Sequence, residues 1–381
     1  MSKSQFFHDF KENIILQYLE CPAYKFLCDS QGYDPRKSLN EESDLEKVPY
    51  FTTTLFKKSS NLFSKLLRVA PNQIDMWTVS SSTSGDPSIV GRSLSDIEQL
   101  KRVAMLDPDI LDPNCDYDCV FYPEPLEMRK FKSEHILGKP TESYIGNILN
   151  LFEFKGDALF LLKQEKEEFN LDIEAFKRYI QFHDKKNHHL SVRGSTLLIY
   201  NTIKQLREII SPVELGEKVI VSTGGGGWDG KKGTISIGTQ IPRRQFVEEV
   251  SSFLGIPQES FVDTYSFTEN SLPIHGHYSK EHGDYLFHVP NAGKVIIRDI
   301  KTLKPLSNVG DKGVIQILNA YGTSTFAGAS VLVDDIGEIV SMDKCPKCGQ
   351  AGMTIKILGR VKGAEAKGCG ATLDVKEKEV V

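Results

Sequence analysis

Residues 219–228 read Val219-Ile-Val-Ser-Thr-Gly-Gly-Gly-Gly-Trp228. The apolar run at 218–223 predicts a buried strand, and four consecutive glycines follow it directly. Ligands of α/β folds bind at the carboxyl ends of sheet strands, where glycines let a flat ring lie against bare backbone. The alternative is a flexible hinge. Because the four glycines come directly after a strand, we favour a binding site.

Two amphipathic helices are expected before this strand, because apolar residues recur there at spacings of four, three and four. The two sets are Phe169, Ile173, Phe176 and Ile180, and Ile199, Ile203, Leu206 and Ile210. Strand and helix patterns alternate through the middle of the chain, which predicts an α/β body with a partly parallel sheet. From Gly293 onward short β-like runs alternate with turns, so we expect a β-rich last third.

The N-terminus is expected to form a helical cap, since Phe7, Phe10, Ile14 and Tyr18 recur at helical spacing. Together with the change of pattern at Gly293, this suggests four parts. They are a helical cap at 1–45, an α/β body at 46–292, a β-rich part at 293–358 and a short C-terminal segment at 359–381.

The composition is that of an ordinary enzyme. The chain has 381 residues, 46 Lys and Arg against 51 Asp and Glu, a net charge of −5 and seven cysteines. This length allows two or three domains, and the near-neutral charge offers no basic field for nucleic acid. No window reaches the roughly 20 apolar residues of a membrane span, and we expect no signal peptide, because His8, Asp9, Lys11 and Glu12 lie where it would need its apolar stretch. We therefore expect a cytoplasmic protein without a disulfide framework.

A loop rich in hydroxyl groups follows the strand-like run Met76–Val79. It reads Val79-Ser-Ser-Ser-Thr-Ser-Gly-Asp-Pro-Ser-Ile-Val90. A helix is expected after it, with Ser95 and Glu98 as a capping box. Such a loop can surround anionic oxygens with hydroxyls and backbone amides, although clusters of Ser, Thr and Gly are more often plain turns.

Three later segments carry acids or an arginine. The segment Phe261-Val-Asp-Thr-Tyr-Ser-Phe-Thr-Glu-Asn270 places a carboxylate beside hydroxyls, which suits Mg²⁺ bound to phosphate. An exposed Glu at the end of a strand is the equally good alternative. The other two, Val331-Leu-Val-Asp-Asp-Ile-Gly337 and residues 358–369, are interpreted as an acid or an Arg at a turn.

The order of these segments is more specific than any one of them. It runs Ser-Ser-x-Thr-Ser-Gly, strand plus Gly-Gly-Gly, Asp-Thr-Tyr-x-x-Thr-Glu, Asp-Asp-Ile-Gly, Gly-Arg. This order resembles the core motifs of the adenylate-forming acyl/aryl ligase superfamily. The narrower resemblance is to the acyl-protein synthetases of bacterial luminescence, the long-chain-fatty-acid luciferin-component ligases. It is carried by residues 223–228, 300–306 with 334–337, and 359–369, and runs from about Glu46 to near the C-terminus.

The resemblance implies a large α/β adenylation body with partly parallel sheets and a much reduced C-terminal lid. It also implies that ATP, with Mg²⁺, converts a fatty or related carboxylic acid to an acyl-adenylate. Thr268 and Glu269 would contact the α-phosphate and Mg²⁺, Asp335 the ribose, and Arg360 both ribose and phosphate. The triphosphate would be bound by Ser81, Thr83, Ser84 and Gly85, and the adenine by Gly225, Gly226, Gly227 and Tyr265.

Cys369, in Gly-Ala-Glu-Ala-Lys-Gly-Cys369, resembles the acyl-accepting cysteine of the acyl-protein synthetases. A thioester there would keep the acyl group activated for an acyl reductase or carrier partner. Lys362 and Lys367 lie nearby in sequence, and an approach of either ammonium to the thiol would lower its pKa. For an arbitrary cysteine a buried structural thiol would be the better interpretation, and the surrounding signature favours the catalytic one.

The chain departs from the superfamily in its phosphate loop and at its end. The superfamily usually has Gly where this chain has Ser82, and Lys where it has Ser88. One charged contact to phosphate is therefore missing, which predicts slower adenylation or a substitute cation. We also expect no full C-terminal lid domain in the residues after Arg360, a shortness that the resemblance to the luminescence synthetases implies.

The knuckle Asp343-Lys-Cys-Pro-Lys-Cys-Gly349 offers two thiolates to one metal ion. We expect a structural Zn²⁺ held by Cys345, Cys348, His288 and one of His277 or His282, as related phenylacetate-type ligases carry a similar site. A redox pair and a plain turn are the alternatives. His275 belongs to the same histidine cluster, whereas the remaining cysteines, Cys21, Cys28, Cys115 and Cys119, are expected to be inert.

Two other functions stay open at this point. One is a ligase of the phenylacetate type that passes the acyl group to coenzyme A or a carrier protein. The other is a non-catalytic, zinc-stabilised binding protein on a ligase scaffold, an interpretation motivated by Ser82 and Ser88. Acyl transfer to free coenzyme A would indicate the first, and absence of ATP–pyrophosphate exchange the second.

Overall fold

The structure is a computed structural model. It describes residues 3–80, 86–104, 115–151, 154, 158–166, 168–224, 226, 231–232, 235–236, 241–360 and 375–376. The α-helices of this part are α1 (Lys3–Glu20), α2 (Pro22–Ser30), α3 (Pro35–Ser38), α4 (Leu94–Ala104), α5 (Pro125–Lys130), α6 (Tyr144–Leu149), α7 (Ile173–His183), α8 (Thr196–Arg207) and α9 (Arg243–Leu254). Short 3₁₀ helices lie at Glu42–Lys47, Thr53–Phe56, Lys58–Ser60, Phe63–Leu66, Pro71–Gln73 and Gln258–Ser260.

The strands of the described residues range from two to 12 residues in length. They are β1 (Phe51–Thr52), β2 (Met76–Val79), β3 (Ile89–Arg92), β4 (Tyr117–Phe121), β5 (His135–Ile136), β6 (Lys139–Ser143), β7 (Leu159–Phe160), β8 (Leu162–Glu165), β9 (Glu168–Leu171), β10 (Leu190–Gly194), β11 (Val219–Gly224), β12 (Lys231–Lys232), β13 (Ile235–Ser236), β14 (Phe261–Tyr265), β15 (Ile274–Ser279), β16 (Asp284–His288), β17 (Gly293–Arg298), β18 (Pro305–Leu306), β19 (Lys312–Asn319), β20 (Ser330–Ser341), β21 (Thr354–Arg360) and β22 (Val375–Lys376). The last third is β-rich, as predicted.

One sheet dominates the described residues. It has 13 strands in the order β18-β17-β19-β20-β21-β16-β15-β14-β11-β10-β4-β7, with β1 on β20. From β7 through β4, β10 and β11 to β14 each strand is parallel to the next. From β14 through β15 and β16 to β21 each strand is antiparallel to the next. The carboxyl ends of the parallel strands therefore share one edge, to which β11 and β14 bring Gly224 and Tyr265. The mixed α/β class predicted from the sequence is confirmed.

The predicted elements exist, with some ends displaced. Helix α7 begins at Ile173 because the Asp172 side chain accepts the backbone N–H of Ala175 at 2.8 Å. Phe169, expected on this helix, lies in β9, and Ile210 lies beyond the end of α8. Burial in β11 alternates along the strand, so one face of that strand packs in the core.

Two local predictions were wrong. The capping box of α4 is not formed by Ser95 and Glu98. Instead the Asp96 N–H donates to the Ser93 hydroxyl at 3.1 Å. The helix begins at Leu94, and Asp96 is fixed by Ser324, whose N–H donates to its carboxylate at 2.8 Å. Residues 334–335, expected at a turn, lie within the long strand β20.

Helix α1 packs on the body and binds a distant loop. Its apolar face, made of Phe6, Phe10, Ile14 and Tyr18, belongs to the main hydrophobic core. The polar contacts are Tyr321 Oη to Asp9 at 2.6 Å, Asn13 Nδ2 to Thr323 Oγ1 at 2.9 Å, and Ala329 N to Gln17 Oε1 at 3.1 Å. The division into four parts stays a prediction. None of the helices in the described ranges is long and apolar enough to cross a membrane.

Candidate active site and metal centre

The hydroxyl-rich loop joins β2 to β3, two antiparallel strands. Its two ends are held together, since Ser80 N donates to Ser88 O at 2.9 Å and Ser88 N donates to Ser80 Oγ at 2.8 Å. Ser81, Thr83, Ser84 and Gly85, the predicted triphosphate ligands, lie outside the described residues, as does Ser82. The geometry of the two ends fixes where that loop leaves the sheet.

Ser88 directly contacts the carboxylate predicted to hold Mg²⁺. Its hydroxyl donates to Glu269 Oε1 at 2.5 Å, and the two residues are 0% and 1% exposed. A buried carboxylate is costly unless donors surround it. The base of the loop and the turn that carries Thr268 and Glu269 therefore meet at one buried point.

Arg92, at the end of β3, binds the turn that carries Thr268 and Glu269. Its guanidinium donates to Thr268 O at 2.7 Å, to Ser271 Oγ at 2.5 Å and to Gly322 O at 2.8 Å. Burial lowers the pKa of Arg92, partly opposed by Asp96 and other nearby groups. Ser271 has a φ of 64°, a left-handed conformation that a non-glycine residue adopts only where contacts hold it. The turn next to Glu269 is thus built rigidly.

Asp335 lies between two predicted nucleotide ligands. Tyr265 Oη donates to Asp335 Oδ2 at 2.7 Å, and Arg360 Nε donates to Asp335 Oδ1 at 3.3 Å. The pairing of β20 with β21 places Asp335 opposite Arg360. Burial, followed by the charge of Asp335, raises the pKa of Tyr265 well above its usual range, so Tyr265 stays a donor. The group offers a half-buried carboxylate to a polar ligand.

The glycine run begins where β11 ends. Gly224 is the last residue of the strand, and Gly226 has a φ of 76°, which favours glycine. Gly225 and Gly227 lie outside the described residues, and so do Lys362, Lys367 and Cys369. Of the predicted site residues that the structure describes, Tyr265 and Arg360 contact Asp335, and Glu269, next to Thr268, contacts Ser88.

Four metal-ligand side chains converge between β15, β16 and the knuckle. The ligand atoms of His277, His288, Cys345 and Cys348 all lie within 4.8 Å of one another. Cys345 Sγ is 3.9 Å from His277 Nε2, and Cys348 Sγ is 3.6 Å from His288 Nε2. Tetrahedral Zn²⁺, with bonds of about 2.3 Å to sulfur and about 2.0 Å to nitrogen, separates such atoms by about 3.5 Å. The donor set fits a zinc ion.

The structure distinguishes His277 from the other upstream histidines. His282 lies in a turn, with Nδ1 2.9 Å from Ser279 Oγ, and His275 Nδ1 is 3.0 Å from Thr264 Oγ1. Burial lowers the pKa of His277 to about 4, so its imidazole is neutral at pH 7, the form that binds metals. Burial raises the pKa of the Cys348 thiol, an effect that a bound cation would reverse.

Sequence reasoning missed two polar residues of this site. The sequence shows Ser88 only as the absence of the usual lysine, although its hydroxyl binds Glu269. Arg92 ends the apolar run Ile89-Val-Gly-Arg92, and an arginine in a strand that is otherwise buried was the available signal. A buried guanidinium needs acceptors, so it indicates a structured turn nearby.

A family model and two curated relatives match most of this chain. The family model described as acyl-protein synthetase, LuxE, matches residues 2–377. A curated long-chain-fatty-acid–luciferin-component ligase from Aliivibrio fischeri is 22% identical over 334 residues, which cover 86% of this chain and 78% of the relative. The ligase of that name from Vibrio harveyi is 24% identical over 331 residues, covering 87% and 78%.

A solved structure shows the same fold at low identity. The open conformation of a 2-hydroxyisobutyryl-CoA ligase in complex with 2-HIB-AMP and CoA has a TM-score of 0.65 and 13% identity, and the match covers 95% of this chain and 70% of that chain. At this identity the likeness concerns the fold alone, that of an adenylate-forming ligase. The chain therefore belongs to the acyl-protein synthetase family LuxE and is an enzyme of the acid–thiol ligase type.

Proposed function

We propose that this protein uses ATP to activate a fatty or related carboxylic acid as an acyl-adenylate, and then transfers the acyl group to its own Cys369. The observation that carries the proposal is the contact between Ser88 and Glu269, which brings the base of the phosphate loop to a buried carboxylate. The names of the curated relatives support the fatty-acid class of substrate.

In the first step a carboxylate oxygen of the acid attacks the α-phosphorus of ATP. The bond from that phosphorus to the bridging oxygen breaks, and pyrophosphate leaves with the electron pair. Glu269, with Thr268, would hold Mg²⁺, which supplies charge neutralisation when bound; a buried carboxylate oxygen suits this ion. Arg92 keeps the turn in place, so that the carboxylate is preorganised.

The nucleotide would bind across the edge formed by the parallel strands. Asp335 would accept the ribose hydroxyls while Tyr265 and Arg360 orient its carboxylate. The adenine would lie against residues 225–227 and the ring of Tyr265, and the triphosphate against Ser81, Thr83, Ser84 and Gly85. Arg360 would also contact the α-phosphate.

In the second step the Cys369 thiolate attacks the acyl carbon. The bond from that carbon to the phosphate oxygen breaks and AMP leaves with the electron pair, while the thiol proton passes to solvent. Lys362 and Lys367 would favour the thiolate. The thioester would then be taken up by an acyl reductase or a carrier, the partner class that the resemblance implies.

The metal centre has a separate, structural role in this proposal. His277, His288, Cys345 and Cys348 would hold Zn²⁺ with four protein ligands, which leaves no position for a substrate. The ion would join β15 and β16 to the knuckle that follows β20.

Intact-protein mass spectrometry tests the function. The protein is incubated with ATP, Mg²⁺ and a mixture of carboxylic acids, and a mass increase that hydroxylamine removes is expected. Cys369→Ser should abolish the label while ATP–pyrophosphate exchange persists. The matched control is Cys115→Ser, because the Cys115 thiol donates to Tyr117 O at 2.8 Å and a hydroxyl can replace it. A label that survives in Cys369→Ser, or acyl transfer to free coenzyme A instead, overturns the acceptor assignment.

A further inference from the structure

The two backbone carbonyl groups on either side of Glu269 are each bound by a buried side chain. The Thr268 carbonyl accepts from the guanidinium of Arg92 at 2.7 Å. The Asn270 carbonyl accepts from the side chain of Asn319, whose Nδ2 lies 2.8 Å away. Arg92 ends β3 and Asn319 ends β19, so two separate strands hold the two sides of the same turn.

Gly328 closes the turn on a third side. The side chain of Asn270 donates to the Gly328 carbonyl at 2.8 Å. A Cβ atom at position 328 would lie 2.6 Å from the Glu269 carbonyl oxygen, which is closer than such atoms approach in folded proteins, so glycine lets the two backbones touch. The backbone from which the Glu269 carboxylate projects is therefore fixed by contacts on three sides.

The side chain of Asn319 is not needed for the pairing of β19. Its backbone N–H donates to Ala329 O at 2.9 Å, and Asn319 lies opposite Gly293 in the ladder. The carboxamide joins two other backbone groups, since Nδ2 binds Asn270 O and Oδ1 accepts from Tyr321 N at 2.9 Å. A side-chain amide at 0% exposure costs free energy unless both of its ends are bound. The position therefore supplies a donor to the turn that an apolar side chain would not.

A magnesium ion is sensitive to the position of its ligands, because it binds oxygen at about 2.0–2.1 Å in near-ideal octahedral geometry. A displacement of about 1 Å in a site can cost catalysis about a hundredfold. We propose that Asn319 is a positioning residue of the adenylation reaction, which holds the turn so that the Glu269 carboxylate is placed for Mg²⁺ bound to ATP. The inference rests on the ATP-dependent function proposed above.

Calorimetry of ATP binding with and without Mg²⁺ tests the proposal. Asn319→Asp keeps the size of the side chain and replaces the donor by a carboxylate oxygen that faces Asn270 O. The affinity for ATP in the presence of Mg²⁺ should fall about tenfold, whereas the affinity for ATP in EDTA should stay unchanged. In ATP–pyrophosphate exchange, the Mg²⁺ concentration that gives half the maximal rate should rise to a similar extent.

The matched control is Gln316→Glu, the same change of amide to acid on the same strand. Gln316 is also 0% exposed, but its Nε2 binds Val48 O and Ser330 Oγ instead of the turn. Whatever its effect on unfolding in urea, this variant should leave the ratio of the two ATP affinities unchanged. Asn319→Ser, which introduces no charge, is measured in parallel and should show the same Mg²⁺-dependent loss as Asn319→Asp.

The outcomes separate this proposal from the function on which it rests. If both Asn319 variants bind ATP as the wild type does in the two conditions, Asn319 is not a positioning residue, although adenylation stands. If they lose affinity equally with and without Mg²⁺, or do not fold, Asn319 only supports the fold and the proposal fails. If the wild type neither binds ATP nor catalyses exchange, the adenylation function fails and this inference fails with it.

Discussion

Ser88 and Glu269 are separated by 181 residues in the chain, and their side-chain oxygens are 2.5 Å apart. Hydrogen bonds from a hydroxyl to a carboxylate are short and are stronger than neutral ones. The contact orients Glu269 and fixes one end of the loop between β2 and β3 at the carboxylate. At a position where the superfamily usually has a lysine, this chain therefore places a neutral hydroxyl on the Glu269 carboxylate.

Removing the Ser88 hydroxyl should impair adenylation. Ser88→Ala leaves a buried carboxylate without one donor, which costs roughly 1.5–3 kcal/mol for a hydrogen bond to a charged group. The kcat/KM for ATP–pyrophosphate exchange should fall at least tenfold, and Ser88→Thr, which keeps a hydroxyl, should retain most activity. Equal activity in the alanine variant would show that Glu269 needs no donor from the loop.

Arg92 should be essential to the stability of the site turn. Arg92→Met leaves the carbonyl oxygens of Thr268 and Gly322 without their buried donor, at about 1–3 kcal/mol for each. Urea unfolding should show a large loss, whereas Arg102→Met should show little because that side chain is 77% exposed. Similar losses in both variants would contradict the supporting role of Arg92.

The purified protein should contain about one zinc ion per chain. Cys348→Ser should abolish the metal and lower the melting temperature by several degrees, because structural zinc contributes directly to folding. His282→Ala is the matched control, since that ring contacts Ser279 outside the cluster. Metal content is measured by plasma mass spectrometry, and zinc retained in Cys348→Ser would refute the four-ligand site.

Alkaline pH should destabilise the fold. Burial raises the pKa of Tyr24, Tyr265 and Tyr285 well above the usual range, whereas in the unfolded chain they ionise near pH 10. The folded state keeps protons that the unfolded state releases, so the free energy of unfolding falls as pH rises above about 10, by about 1.4 kcal/mol per pH unit for each tyrosine. Tyr285→Phe should make this decline shallower. The free energy of unfolding is measured by urea titration from pH 8 to pH 11. An equally steep decline in Tyr285→Phe and in the wild type would contradict the raised pKa of Tyr285.

The local sequence pattern predicted the strands and the knuckle. Contacts between residues distant in sequence determined which histidine joins the metal ligands and which serine caps α4. Spacing made Cys345 and Cys348 metal candidates, but only the pairing of β15 with β16 brings His277, rather than His282, to them. The sequence predicts Ser95 as the cap of α4, whereas Ser93 accepts the Asp96 N–H. Asp96 also binds Ser324, which is 228 residues away in the chain. Such choices depend on tertiary contacts that no local window contains.

Some contacts of α1 can form only late in synthesis. Asp9 binds Tyr321 across a separation of 312 residues, so this contact cannot form until nearly the whole chain has left the ribosome. Long-range closure of this kind slows folding and exposes surface that aggregates. Yields of recombinant protein should therefore respond to slower translation, lower temperature and added chaperones.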